Sequence, residues 1–209
     1  MPSSVLSHQT PTLYLKIKFP SSIDGTAMYL SMFIPDLNVL VEVIPNFPFR
    51  SITHSFMGQV IWTLPLTLLF TILFSRYVAP VLSRITCKNR LLTRPLKYLG
   101  FDEYHLLRLK KINKRYFIVA SYSALIGGLT HLLLDLPSHQ IVELFFPWII
   151  LPSPDFLLIH IIDQGIITIG TMQVHVVLSM YNFIWMVKTI ITLIVSLYLL
   201  KYIKKQDLM

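Results

Sequence analysis

The stretch FMGQVIWTLPLTLLFTILF, from Phe56 to Phe74, runs for 19 residues without an ionisable side chain. As a helix it is long enough to cross a hydrocarbon layer of roughly 30 Å. Two further segments read the same way. Phe117 to Leu134 is nearly as long and is interrupted only by a late His131. Thr189 to Ile203 is shorter, and gains length if Phe183 to Val187 joins it. Charged residues make up 13% of the 209-residue chain, about half the share of a soluble domain, while hydrophobic residues reach 54%. The expectation is an all-α polytopic membrane helix bundle, a single domain over residues 1–209, with four or five membrane-embedded helices. It is expected to reside in the cell membrane as a multi-pass protein.

A net charge of +8 raises the question of nucleic acid, but the distribution of charge argues against it. Eleven of the Lys and Arg residues fall between Arg76 and Arg115, opposed only by Asp102 and Glu103. A basic segment joining two spans is what the positive-inside rule places in the cytoplasm, where anionic headgroups are natural partners. Nucleic acid is not expected as a partner; membrane lipids are. The preceding span then runs outside to inside and the following one returns. Their outer ends carry His54 and the run His131, Asp135, His139, so residues 77 positions apart share one level of the bilayer.

The flanking segments are less regular. MPSSVLSHQTPTLY lacks the basic start and apolar stretch of a secretory signal. TPTLYLKIKFP is too brief to span and is expected at an interface or packed on the bundle. Thr26 to Ile44 is apolar, with a break expected near Pro35, since proline removes a backbone donor and disfavours helix at Ile34. After His139, IVELFFPWIILPSPD is too short to cross, and its prolines suggest a re-entrant or surface element. Phe156 to Met180 reads as a long helix, because His160, Gln164, Thr168, Thr171 and His175 recur at helical spacing. That stripe is expected to face the interior, and His160, Asp163 and His175 to pack against or orient a site. Lys201, Lys204 and Lys205 suggest a cytoplasmic C-terminus. Cys87, the one cysteine, has no intrachain partner.

Ionisable residues within membrane segments are costly and usually face a cavity or one another. Three groups qualify: Asp36 after Pro35, His54 within SITHS at a helix start, and His131-x-x-x-Asp135-x-x-x-His139. Residues four apart on a helix share a face, so His131 and Asp135 can point at one ion. Pro137 is expected to end that helix just past Asp135. Gly127 and Gly128 permit close approach of a neighbouring backbone one turn earlier. Imidazole and carboxylate without thiolate suit zinc, manganese or iron. His8 and Asp36 are candidates to join His54. His105 lies in the basic segment, on the wrong side.

The ordered set Leu6-Ser-His8, Phe33-Ile-Pro-Asp36, Thr53-His54-Ser55, Gly128-Leu-Thr-His131-Leu-Leu-Leu-Asp135 with Ser138-His139, and Asp163-Gln164-Gly165 resembles a family of uncharacterised polytopic membrane proteins of bacteria and archaea. That family carries SHP-, PD-, SH- and HxxxD/FTH-like motifs in this order, and the likeness runs from residue 6 to about residue 175. It is similar in turn to inner-membrane predicted metal-dependent hydrolases. Gln9 stands where the motif has proline, Leu133-Leu134 where tryptophan precedes the aspartate, and Leu136-Pro137 in place of Ser-Phe. The resemblance implies His8, Asp36, His54, His131, Asp135 and His139 as a shared metal-binding set. A more remote likeness is to zinc-dependent phospholipase C and the single-strand nucleases of that fold.

The function expected is therefore a membrane-bound metal-dependent hydrolase, its divalent metal, zinc by preference, lying near the extracytoplasmic side. Lipid-borne or small-molecule phosphoesters and esters are its expected substrates. Asp36 or Asp135 would serve as general base where not a ligand. The alternatives are a transporter or ion or proton pathway using the same residues, and a non-catalytic protein whose histidines pin helices together.

Overall fold

The computed structural model describes residues 8–40, 48–88, 91–138, 141–152, 154–169 and 172–206. The run that begins at Phe56 continues as one helical stretch of 32 residues, Phe56–Cys87 (α4; the shorter α1–α3 precede it). Ser55 starts it: its hydroxyl accepts from the Gly58 backbone N–H at 3.0 Å. Two wide π turns interrupt it, Gln59–Thr63 and Phe74–Val78, each just ahead of a proline, Pro65 and Pro80. A proline leaves an earlier carbonyl without its donor and crowds the preceding turn, and widening that turn relieves both.

The wide turns also hold a polar seam together. Gln59, Thr63, Thr67, Thr71 and Ser75 recur every four residues and are all buried. On a 3.6-residue helix a spacing of four drifts about 40° per step. The π turns take up that drift, so the five side chains stay on one face. That face packs on Gly25–Ser31 (α2) and on Lys114–Asp135 (α6). Small and polar residues at such a contact let helices approach closely where no hydrophobic force drives them together.

Helix α6 opens on Asn113, whose side chain accepts from Tyr116 N at 2.9 Å, and ends at Asp135, where a 3-10 turn carries Pro137. The proline stops the helix where the sequence says it should. Its buried face is Ala120, Ser123, Ala124, Gly127, Gly128, His131 and Asp135. A Cβ at Gly127 would lie 2.6 Å from the Met28 carbonyl oxygen, so α2 crosses there at backbone contact.

Asp24 anchors α2 twice. Its carboxylate accepts from Ala27 N at 2.8 Å and pairs with Lys110 at 2.8 Å. Asp24→Ala is expected to cost about 1–2 kcal/mol, chiefly through the lost cap; thermal unfolding in detergent measures it. Beyond Ser31 the chain breaks and restarts as a 3-10 turn over Pro35–Leu40, as Pro35 requires. The short helix Phe49–Thr53 (α3) then leads to His54.

The third long helix is Met180–Lys205 (α7). Thr10–Lys18 (α1) lies along it: Thr10 donates to the Thr192 carbonyl at 2.9 Å, and Leu13 packs on Leu200 and Ile203. So α1 packs on the bundle. At one end the basic residues gather. Lys204 donates to Asp102 at 3.1 Å, Ser83 to the Asp102 carbonyl at 2.5 Å, and Lys110 meets Asp24.

Three expectations change. The basic segment 76–115 is not a simple loop: the helix continues through Arg76 and Arg84 to Cys87. Arg94–Tyr98 (α5) and the 3-10 stretch Phe101–Leu109 then fold back over its end. Phe156 to Met180 is not a long helix. His160–Ile169 (β3) and Met172–Ser179 (β4) form an antiparallel hairpin, and Ile141–Phe145 (β1) pairs with Ile149–Pro152 (β2) in another. The all-α expectation therefore gives way to a mostly helical chain with two hairpins. The reason lies in the pattern itself, since a spacing of four is also two pleats of a strand. The β-branched Ile161, Ile162, Ile166 and Ile167 favour the extended form. Gly165, at φ 69°, takes the left-handed conformation where the pairing slips between Asp163 and Ile166. Among the described residues three helices, not four or five, are long and apolar enough to cross a membrane.

Candidate metal centre

Four separate stretches deliver side chains to one point. His131 and Asp135 come from the last turns of α6, and His54 stands at the C-terminus of α3. Asp36 enters from the 3-10 turn after Pro35, and His8 from just ahead of α1. Two hydrogen bonds hold the weaker elements in place. Trp62 Nε1 donates to the Ile34 carbonyl at 3.2 Å, fixing the turn that carries Asp36. Gln59 Nε2 donates to the Thr53 carbonyl at 3.2 Å, fixing the helix end that carries His54.

The inner four ligand atoms are His54 Nε2, His131 Nε2, Asp36 Oδ1 and Asp135 Oδ2. His54 lies 3.3 Å from Asp36 and 3.9 Å from Asp135; His131 lies 3.7 Å from Asp36 and 3.1 Å from Asp135. A tetrahedron whose corners sit about 2.1 Å from its centre, the zinc–nitrogen and zinc–oxygen distance, has edges of about 3.4 Å. The four separations straddle that value.

Proton placement says the same. The Arg50 carbonyl, 3.2 Å from His54 Nδ1, can only accept, so Nδ1 carries the hydrogen and Nε2 presents a lone pair. That lone pair faces the Asp36 carboxylate at 3.3 Å. Two acceptors at this distance repel unless a cation lies between them. His131 is completely buried, and neither of its ring nitrogens makes a hydrogen bond, although Asp135 is close. Burying an imidazole without a partner is costly, and ligation of a cation removes that cost at Nε2. The residues present therefore fit a divalent ion.

The remaining Asp135 oxygen, Oδ1, meets His8 Nε2 at 3.0 Å. Burial pushes the His8 imidazole below its ordinary pKa, partly offset by Asp135, so the ring is neutral near pH 7. Its ring centre lies 5.0 Å from that of His131, and that of His54 5.5 Å from it. Of the two carboxylates Asp36 is the more accessible, 25% exposed against 6% for Asp135. The opening is on the Asp36 side.

Of the sequence candidates, His8, Asp36, His54, His131 and Asp135 converge. His139 lies outside the described residues. His160 and Asp163 are exposed on the β3–β4 hairpin and orient nothing here, and His175 belongs to β4, not to a helix. His105 bonds Ser83 at the basic end. Lys188 was missed: its Nζ donates to the Leu134 carbonyl at 2.7 Å and lies 3.9 Å from Asp135. The signal was available, since Lys188 is the one charged residue between Met180 and Leu200.

No curated protein and no solved structure matches the chain. A family model does, over residues 1–206, and the chain belongs to the DUF4184 family, a domain of unknown function.

Proposed function

We propose that this is a multi-pass membrane protein that hydrolyses an ester or phosphoester at a divalent metal centre on the extracytoplasmic side. The observation that carries the reading is the near-tetrahedral meeting of His54, His131, Asp36 and Asp135, drawn from three parts of the chain. The sequence resemblance to predicted metal-dependent hydrolases supports it. Orientation follows from charge: Lys204, Asp102, Lys110 and Asp24 meet at the basic end, and the His/Asp cluster lies at the opposite ends of α4 and α6. With α1 and α2 counted as short embedded helices, the bundle has five membrane-embedded elements.

A divalent ion held by these side chains would polarise the substrate's carbonyl or phosphoryl oxygen and make water nucleophilic at neutral pH. Catalytic zinc sites hold the ion by three protein groups and leave one corner to react. His54, His131 and Asp135 are the buried three. Asp36 stands at the corner facing the opening and takes the proton. Water oxygen adds to the carbonyl carbon or phosphorus and passes its proton to Asp36. The bond from that atom to the leaving oxygen breaks, and Asp36 returns the proton to the alkoxide. His8 holds the outer Asp135 oxygen in place.

Asp36→Asn keeps the shape and removes the proton acceptor. It is expected to retain most of the bound metal while lowering hydrolysis of p-nitrophenyl esters or phosphoesters by about 100-fold or more. Proteoliposome flux of protons or metal ions without any ester turnover would replace this reading with a transport one.

A further inference from the structure

We propose that the substrate's reacting group is a phosphoryl group and that Lys188 binds one of its anionic oxygens beside the metal centre. The inference rests on the metal-dependent reading above and narrows its substrate. Lys188 is a charge placed early in an otherwise uncharged helix, with its side chain only 12% exposed. A buried ammonium in a span is costly and is kept where it has work to do. Here its Nζ lies 3.9 Å from Asp135 Oδ1 and 3.5 Å from His8 Nε2. The histidines and Asp36 meet Oδ2 and the space beyond it, so Asp135 separates the ion's corner from the ammonium by one carboxylate width.

Charge decides the substrate. Two carboxylates, Asp36 and Asp135, balance a divalent ion, and the histidines that ligate it are neutral. Lys188 then leaves the described site with one positive charge in a poorly solvated pocket. A neutral ester would leave that charge uncompensated, whereas a phosphodiester or phosphomonoester brings the anion that balances it. A lysine ammonium is compact, carries three donors and serves widely as a point charge for phosphate. Were its task only to cap the Leu134 carbonyl at the end of α6, a cation would be unnecessary, since a neutral donor does that.

The test uses the full chain in detergent, loaded with zinc, with inorganic phosphate as the probe in a calorimetric titration. Phosphate is expected to bind the unaltered protein. Lys188→Met is expected to weaken it about tenfold or more, and Lys188→Arg to stay near the original affinity. Zinc content, read on the same samples, is expected to be equal in all three, which also reports that each is folded. Phosphate that fails to bind the zinc-loaded protein, or binds Lys188→Met equally well, overturns the assignment of Lys188. Absence of zinc from the unaltered protein overturns the hydrolase reading beneath it, a separate result. Competition then identifies the source of the phosphate. Displacement by short-chain phosphatidic acid alone assigns a lipid, displacement by glycerol phosphate as well assigns a soluble phosphoester, and displacement by neither overturns the phosphoryl assignment.

Discussion

In His131→Ala, bound divalent metal is expected to fall from about one ion per chain to a small residue of that, as measured by elemental analysis of protein purified in detergent. His131 has the most to lose. It is the residue common to both groups of ligand atoms that come within 4.8 Å of one another, one with His8 and Asp135, the other with Asp36 and His54. Alanine removes the shared nitrogen and leaves two carboxylates facing a cavity. The effect on stability should appear only when metal is supplied. Saturating an ion site at one hundred times its Kd adds about 2.7 kcal/mol to stability. The unaltered protein should therefore gain that in thermal unfolding, and His131→Ala should gain almost nothing. Without metal the two should melt close together, because His131 makes no hydrogen bond to lose. Equal metal content in both proteins would show that the cluster is not a metal centre.

The features legible in the sequence were those that depend on local chemistry. Absence of charge marked the three long helices, Pro137 marked the end of α6, and Pro35 the break after α2. The charge asymmetry placed His54 beside His131 and Asp135 before any contact was known, because spans of fixed length put their ends at fixed levels. The features missed depend on which neighbour a face meets. His160 to His175 carries the same four-residue spacing as Gln59 to Ser75, yet the first forms a hairpin and the second a buried helical seam. Composition separates them: isoleucines flank the former, while leucine and paired prolines with π turns accompany the latter. Lys188 was overlooked because its partner, Asp135, is 53 residues away and only the packing of α7 beside α6 brings them together.

The close crossing of α2 and α6 leads to the second large effect. Gly127 and Gly128 are neighbours in sequence, but a methyl group meets different things at each. At Gly127 it would strike the Ser31 hydroxyl and come within 2.6 Å of the Met28 carbonyl oxygen, which is backbone and has no rotamer to change. At Gly128 it would strike the Gln59 amide and approach Thr63, both side chains with some freedom to turn. Alanine in place of glycine favours a helix by about 1 kcal/mol, and overpacking a tight core costs about 1–3 kcal/mol, occasionally more. Gly127→Ala is therefore expected to lose about 2 kcal/mol net, Gly128→Ala close to zero, and Leu133→Ala, on the exposed face of the same helix, about as little. Thermal unfolding of the three proteins in one detergent gives the order. Gly127→Ala should also bind metal more weakly with every ligand intact, because the displaced α2 runs directly into Pro35 and Asp36. If it melts and binds metal as the unaltered protein does, the two helices are not in backbone contact, and the ligand cluster is not held by their packing.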